Sequence, residues 1–206
     1  IKWGPPAWTH DGSGFFYARY PQPENPLEQV NENHKIYWHA LGTPQAEDDL
    51  VLEMPDKPQW GFEAQVSEDG RYLLVTQGEG TEHMNRLWYY ELGAVKGDGP
   101  PIRGDLVRVV DDYEAAYWYI GNQGDRFFFF SNQDAPRGKV VAIDFDKPSR
   151  DHWVDVVPQG DDAMESVEMI GGRIVGQYLD DAHTAVRVFE ADGTAVGDLD
   201  LPGLGT

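Results

Sequence analysis

A tight-turn signal recurs four times in this chain, each time directly before a run of aromatic or branched residues. The four stretches are 9–20 (THDGSGFFYARY), 66–76 (VSEDGRYLLVT), 121–132 (GNQGDRFFFFSN) and 169–180 (MIGGRIVGQYLD). Glycine tolerates a positive φ, and a neighbouring Asp or Asn can bond its own backbone, so such pairs favour tight turns. Because β-forming residues flank each turn, the pattern predicts four β-hairpins.

The spacing of these turns predicts a repeat. The turn glycines Gly12, Gly70, Gly124 and Gly172 are separated by 58, 54 and 48 residues. A four-stranded propeller blade needs about 40–50 residues, and each unit has room for four strands. We therefore expect an all-β fold of four four-stranded antiparallel blades, at approximately 1–56, 57–111, 112–159 and 160–206. The first strand of the third blade is expected at 114–120, with its turn at 121–124.

Two features of the whole chain bear on this prediction. A β-sandwich would also show short strands and regular turns, but it needs only about seven to nine strands, whereas about sixteen can be drawn here. Neither end of the chain supplies a spare strand to complete a blade begun at the other end. We therefore expect an arc of a larger propeller, in one partial propeller domain that spans 1–206.

Composition excludes several classes of function. The chain has 206 residues, 36 of them acidic and 16 basic, which gives a net charge of −20. Such a field repels phosphate backbones, so nucleic acid is not an expected partner. No apolar run approaches the roughly 18 residues of a membrane span. The absence of cysteine excludes disulfides and thiolate chemistry, and it suits cytoplasm and periplasm equally.

Motifs for catalysis, cofactors and metals are weak or missing. None of the five serines lies in a Gly-x-Ser-x-Gly elbow, and no Walker loop or HExxH occurs. His34 and His39 are five residues apart beside or on a strand, which points them to opposite faces and argues against a shared metal. Asp144 and Asp146 resemble the start of a calcium loop, but the required glycine is missing. All four side chains are expected on the solvated surface, and no catalytic residue, metal or cofactor is predicted.

Topology indicates where a binding site would lie. In an up-and-down blade, the loops between the second and third strands emerge on the same face as the connections between blades. Loops carry binding residues more often than strands do, so this face is the candidate surface and the Asp-Gly turns opposite are structural. Trp3, Trp8, Trp60 and Trp88 could line a groove, but most blade tryptophans pack between sheets. We keep a binding role for Trp3 alone among them.

Several longer blocks resemble the propeller of the prolyl oligopeptidases. They are AWTHDGSGFFYARYP at 7–21, HALGTPQAEDD at 39–49, SEDGRYLLVTQGEG at 67–80, NRLWYYEL at 85–92, AIDFDKPSRDHW at 142–153 and YLDDAHTAVRVFEADG at 178–193. The resemblance runs end to end and keeps the order of the blocks. LGTPQAED is distinctive of this branch, whereas Asp-Gly-Arg-Tyr alone would fit many propellers.

The resemblance implies a two-domain serine peptidase that cleaves short peptides after proline. Its α/β-hydrolase domain would carry the Ser-Asp-His triad, and a seven-bladed propeller would gate access to it. By block order this chain resembles roughly the third to sixth blades, and the hydrolase domain is absent from it. The implied partners are therefore short proline-containing peptides and the catalytic domain of the same protein.

The resemblance also implies a distal substrate subsite, carried over position by position. Trp3 in Lys-Trp-Gly keeps the aromatic residue of the family's S3 pocket, and Thr81 in GEGT stands where the family has a cysteine. Gly61 replaces a methionine of that pocket, with Phe62 adjacent, and Gly78 stands where an arginine is found. We therefore expect Trp3, Phe62 and Thr81 to contribute to the subsite.

Two other functions stay open at this point. The chain could belong to a non-catalytic propeller that binds a peptide or protein. It could also belong to a related oligopeptidase that cleaves after basic residues; the acidic composition would allow this, but the LGTPQAED block disfavours it.

Overall fold

The computed structural model describes residues 5–22 and 31–203, and in these ranges the regular structure is almost entirely antiparallel sheet. Contacts divide the chain into one unit at 1–113 and another at 114–206. Each unit holds two four-stranded sheets, and every sheet is a meander of strands consecutive in the chain. The prediction of four four-stranded antiparallel sheets is therefore confirmed.

The first unit contains sheets 1 and 2. Sheet 1 consists of β1 (Ala7–Trp8), β2 (Gly14–Arg19), β3 (Lys35–Ala40) and β4 (Asp49–Leu52). Sheet 2 consists of β5 (Trp60–Val66), β6 (Tyr72–Glu79), β7 (Arg86–Leu92) and β8 (Ile102–Val110). A single turn of 3₁₀ helix at Gln45–Glu47 precedes β4.

The second unit contains sheets 3 and 4. Sheet 3 consists of β9 (Tyr117–Gln123), β10 (Arg126–Ser131), β11 (Lys139–Asp144) and β12 (Val154–Val157). Sheet 4 consists of β13 (Ala163–Ile170), β14 (Arg173–Asp180), β15 (His183–Glu190) and β16 (Ala195–Asp198). A second 3₁₀ turn, Arg150–His152, precedes β12.

The repeated turns join the first two strands of every sheet, as the sequence predicts. All four turn glycines adopt a positive φ, between 60° and 79°, a region that side chains disfavour. In the second sheet, the Asp69 carboxylate accepts from Ser67 Oγ at 2.7 Å and from the Arg71 amide at 3.1 Å. The aspartate therefore closes the turn through its own neighbours.

The third sheet departs from the expected boundaries. Its first strand is Tyr117–Gln123 and not 114–120. The strand has a bulge at Ile120: Phe128 pairs with Gly121 and Phe129 with Tyr119, which leaves Ile120 without a partner residue in the ladder. Gly121 lies inside the strand at φ 153°, and a Cβ there would lie 2.7 Å from Met169 of the fourth sheet. The glycine permits close packing of two sheets, so it does not mark the turn.

Each unit buries its core between its two sheets. In the first unit, Phe16, Ile36 and Trp38 pack with Phe62, Val75 and Trp88 of the second sheet. In the second unit, Phe128, Val140 and Ala142 pack with Met164, Val167 and Ile174. The apolar face of one sheet is thus covered by that of the next, which is the main stabilising contact available to a four-stranded sheet.

Tryptophans follow the packing expectation only in part. Trp88 is fully buried, and Trp60 is partly buried and packs on the same cluster. Trp8, in contrast, is 47% exposed and lies on the other face of sheet 1, with its ring 4.9 Å from that of Phe15. The expectation of core packing is therefore wrong for Trp8, since β1 turns this side chain away from sheet 2.

The contact of Gly14 with Trp38 provides a test of this packing. A Cβ on Gly14 would lie 2.6 Å from the Trp38 ring and 2.3 Å from the His39 carbonyl oxygen. Because the obstacle includes backbone, we expect Gly14→Ala to lower the free energy of unfolding of the protein by about 2 kcal/mol, as is typical of overpacking. The measurement is urea-induced unfolding.

Gly78→Ala is the matched control for Gly14→Ala. Gly78 also lies inside a strand, but a Cβ there would meet nothing within 4 Å. We expect its unfolding midpoint to stay near that of the wild-type protein. Equal loss of stability in the two variants would contradict the packing explanation.

Candidate functional site

The loop end of sheet 2 holds the predicted site residues that the structure describes. Trp60 pairs with Glu79 and Leu87 with Val110, so the start of β5, the β6–β7 loop and the end of β8 share one end of the sheet. Phe62 and Thr81 lie there, whereas the Asp-Gly turn lies at the opposite end. Trp3 lies outside the described residues.

Phe62 is a buried member of the core. Its side chain is 2% exposed, and its ring centroid lies 6.2 Å from that of Trp88. Its backbone N–H donates to His34 Nδ1 at 3.0 Å. Phe62 therefore holds the start of β5 against the core of the first unit.

Thr81 and two glycines form the open part of this end. Thr81 is exposed in the loop that follows β6. Gly61 and Gly78 are paired across β5 and β6; a Cβ on Gly78 would meet nothing within 4 Å, and one on Gly61 would reach only ordinary contact distances. The substitutions noted from the sequence thus leave bare backbone at this position of the sheet.

His34 is not on the solvated surface, contrary to the sequence expectation. It is 5% exposed, and its ring stacks on Tyr20 with centroids 4.3 Å apart. Burial lowers the pKa of His34 to about 4, because the charged form loses its hydration. The neutral ring accepts the Phe62 N–H, so His34 connects sheet 1 to the start of sheet 2.

His39 lies on the opposite face of sheet 1, as the five-residue spacing predicts, but it is also only partly exposed. Its Nδ1 lies 2.7 Å from Asp48 Oδ1, and the Asp48 side chain is 1% exposed. The Tyr17 hydroxyl donates to Asp48 Oδ2 at 2.5 Å, and burial together with this bond raises the pKa of Tyr17. Asp48 belongs to the distinctive LGTPQAED block, so this block supplies the buried carboxylate that His39 and Tyr17 contact.

Arg86 is the feature of this end that sequence reasoning missed. Its guanidinium lies between two rings, 4.6 Å from the centroid of Trp60 and 4.8 Å from that of Tyr113. Nη1 donates to Gln77 Oε1 at 2.5 Å and to Glu79 Oε1 at 3.2 Å. The only sequence signal is an arginine at the second position of the strand predicted at 85–92, and no spacing rule connects it to the two aromatic residues.

A serine–histidine contact in the second unit lacks the surroundings of a nucleophile. Ser149 Oγ lies 2.9 Å from His152 Nδ1, but both are exposed: Ser149 directly precedes the 3₁₀ turn Arg150–His152, and His152 ends it. The Ser149 hydroxyl also bonds Asp151, which lowers the pKa of that carboxyl. Nucleophilic catalysis requires a base held by a third group and a site for the developing oxyanion, and the Ser149–His152 contact is a local side-chain interaction on an exposed turn.

A cleft of about 400 Å³ lies within the second unit on the strands of sheet 3. Its lining includes Tyr117 and Trp153, whose rings meet edge to face at 5.8 Å. Lys139 and Asp155 form an ion pair at 2.9 Å beside them. The cleft combines aromatic and paired charged groups, and the ion pair leaves Lys139 and Asp155 mutually neutralised.

No group of three or more potential metal ligands occurs within residues 5–22 and 31–203. The same ranges contain no helix long and apolar enough to cross a membrane.

The burial of His34 predicts a pH-dependent stability. Below its ordinary pKa of 6.5, the unfolded chain takes up a proton that folded His34 binds only near pH 4. The free energy of unfolding should therefore fall as the pH falls from about 6.5 to about 4, by up to about 3 kcal/mol, and this histidine adds no further change below that pH. His34→Gln keeps an acceptor for the Phe62 N–H but cannot titrate.

The measurement is urea-induced unfolding between pH 4 and 7 for the wild-type protein and the His34→Gln variant. We expect the difference in unfolding free energy between them to change over this range. His83→Gln, at an exposed position, is the matched control and should run parallel to wild type. A parallel curve for His34→Gln would contradict the proposed neutral, buried state.

Comparison with known proteins identifies the family. Residues 2–206 match the family model described as prolyl oligopeptidase, N-terminal beta-propeller domain. The prolyl endopeptidase of Elizabethkingia miricola is 28% identical over 208 residues, which cover 100% of this chain and 28% of that protein.

Solved structures of prolyl oligopeptidases also match this chain. One from a structural and mechanistic study of two prolyl endopeptidases has a TM-score of 0.88 and 32% identity, covering 100% of this chain and 28% of the other. Prolyl oligopeptidase B from Galerina marginata, in its apo form, has a TM-score of 0.85 and 30% identity over the same shares. This chain thus spans about 28% of the length of these relatives, and the part it matches is the propeller and not the catalytic domain. The chain belongs to the prolyl oligopeptidase family, and its four sheets are blades of the family's N-terminal β-propeller.

Proposed function

We propose that these residues are the substrate-gating part of the propeller in a serine-type oligopeptidase that cleaves short peptides after proline. The observation that carries the proposal is the match of residues 2–206 to the propeller model, together with full-chain relatives named prolyl endopeptidase. The chain itself supplies no chemistry. It restricts access to short flexible peptides and contacts the substrate beyond the cleaved bond.

The catalytic partner in this proposal is an α/β-hydrolase domain of the same protein. Its triad would transfer the acyl group through an activated serine. Opening and closing of the propeller against that domain would admit substrate and exclude bulk water during the reaction. Within this chain, Ser149 and His152 are exposed on a surface turn, so we assign them no part in the reaction.

The proposed distal subsite consists of Trp3, Phe62 and Thr81. Thr81 would contact the peptide from the exposed β6–β7 loop, beside the bare backbone of Gly61 and Gly78. Phe62 packs on Trp88 and binds His34 through its backbone N–H. It would hold this surface in place from the side of the core. Trp3 would add an aromatic contact to residues upstream of the proline.

The first test is hydrolysis by the protein that contains this chain. We expect it to cleave a blocked Gly-Pro amide and to be labelled by a serine-directed phosphonate at a residue outside these 206. Ser149→Ala should leave the rate unchanged, because its hydroxyl serves only the 3₁₀ turn. Peptide binding without cleavage or labelling would instead favour a non-catalytic binding propeller.

The second test concerns the distal subsite. We expect Trp3→Ala to raise KM about tenfold for a peptide with two further residues before Gly-Pro, because it removes an apolar contact worth about 1–2 kcal/mol. KM for the blocked Gly-Pro amide should stay within about twofold, since that substrate does not reach the subsite. Equal changes in KM for both substrates would remove Trp3 from the distal subsite.

A further inference from the structure

The guanidinium of Arg86 is held at the loop end of sheet 2 by contacts on both faces and along part of its edge. Trp60 and Tyr113 cover the faces, at 4.6 and 4.8 Å from the ring centroids. Tyr113 is itself fixed, because its hydroxyl accepts the Glu79 N–H at 2.9 Å. An arginine between two rings keeps one orientation, and its planar donors then point in fixed directions.

Counting donors shows which part of Arg86 is unused. A guanidinium carries five N–H groups. Nε donates to the Asp111 carbonyl oxygen at 2.9 Å, and the two hydrogens of Nη1 serve Gln77 and Glu79. In the described ranges Nη2 donates to no acceptor, so its two N–H groups are the unused donors.

Nη2 is also not enclosed by the residues that the structure describes. In the part of the chain that the structure describes, the one buried side-chain polar atom without a hydrogen-bond partner is the Tyr178 hydroxyl. Nη2 has no hydrogen-bond partner among residues 5–22 and 31–203 and is not in that state, so these residues leave its edge open, although the Arg86 side chain as a whole is only 15% exposed. A rigid, mostly dehydrated cation with one open edge is suited to bind an oxygen acceptor.

The position of Arg86 connects it to the proposed substrate surface. It is the first residue of β7 and follows directly on the loop that carries Thr81. Trp60, which covers one face of the guanidinium, lies two residues before Phe62 on β5. The open edge therefore lies at the same end of the sheet as the proposed distal subsite.

We propose that Arg86 is a peptide-binding residue whose Nη2 donates to a main-chain carbonyl oxygen of the substrate, upstream of the Gly-Pro segment. This proposal rests on the proposed function. A carbonyl is favoured over a carboxylate because Glu79 already offsets the charge of Arg86 and the chain carries a net charge of −20, both of which disfavour a further anion. Every peptide offers such a carbonyl, so the contact would recognise chain length and extended backbone without regard to sequence.

The test uses the whole protein with Arg86→Lys, which keeps the charge but loses the planar fork. We expect kcat/KM to fall about tenfold for a blocked peptide with two residues before Gly-Pro, the effect of losing one hydrogen bond to a charged group. The change should lie in KM, and the blocked Gly-Pro amide should be cleaved within about twofold of the wild-type rate. The short substrate thereby reports that the variant is folded.

Arg108→Lys is the matched control. Arg108 also lies over a tryptophan ring, 5.1 Å from the centroid of Trp88, and also bonds Asp111, at 3.2 Å. Its side chain is 48% exposed, and the proposal gives it no contact with substrate. We expect both substrates to be cleaved as by the wild type.

Substrate analogues identify the acceptor. In two versions of the longer peptide, an alkene isostere replaces one or the other carbonyl before Gly-Pro. One of them should lower kcat/KM about tenfold for the wild type and cause no further loss with Arg86→Lys. Additive losses with both analogues, equal losses on the long and short substrates, or no effect of Arg86→Lys would overturn the proposal.

A long peptide that carries glutamate upstream separates the two kinds of acceptor. Loss of kcat/KM with Arg86→Lys for this peptide alone would overturn the carbonyl assignment in favour of a carboxylate. Failure of the wild-type protein to cleave any proline peptide would overturn the proposed function itself, a result distinct from normal wild-type cleavage unaffected by Arg86→Lys.

Discussion

The packing of one sheet on the next is the interaction on which the rest of this structure depends. A four-stranded antiparallel meander forms the hydrogen bonds between its own neighbouring strands but leaves two faces to cover. In the first unit, Trp38 and Phe16 of sheet 1 meet Trp88 and Phe62 of sheet 2, and this contact removes four large aromatic side chains from water. Aromatic side chains contribute most to such cores because each buries about 150–250 Å². The contact between the sheets therefore stabilises the unit more than any single sheet can stabilise itself.

Fixing the sheets in this way also fixes the loops at their ends. The Phe62 N–H that binds His34 lies at the edge of the aromatic core, so the first residues of β5 are positioned by buried packing and a buried hydrogen bond together. The loss of a partner for a buried N–H costs about 1–3 kcal/mol, which opposes any displacement of this strand. The backbone of Gly61, one residue before Phe62, is therefore held in place by the core.

How much of this was predictable depends on the range of the interactions involved. The hairpins were predictable because Asp69 and Gly70 form their turn with immediate neighbours, and the strands because alternation is local. The predicted boundaries of β9 were wrong because Gly121 is set by its close packing against Met169, 48 residues further along the chain. A local sequence pattern does not reveal such a contact. The burial of His34 was missed for the same reason, since its partner is the backbone of Phe62, on another sheet.

The candidate site shows the same division. A resemblance in the sequence indicated the loop end of sheet 2, and topology placed Phe62 and Thr81 at one end without any knowledge of packing. The cluster around Arg86 could not be foreseen, because Trp60, Gln77 and Tyr113 come from three segments that share no motif. Their convergence follows only from the register of β5, β6 and β7 and from the path of the chain after β8.

The pairing of Gly61 with Gly78 gives the position of Arg86 its significance. Where the family resemblance leads one to expect a methionine and an arginine, this chain presents backbone, and a substrate there would meet fewer side-chain contacts. Arg86, with three of its five donors bonded within the protein, stands beside this bare surface with its orientation already set. Because its side chain is ordered before any ligand arrives, binding would lose little conformational entropy. A preordered donor beside exposed backbone is suited to recognise the backbone of another chain, since main-chain carbonyls occur at every residue of a peptide whatever its sequence.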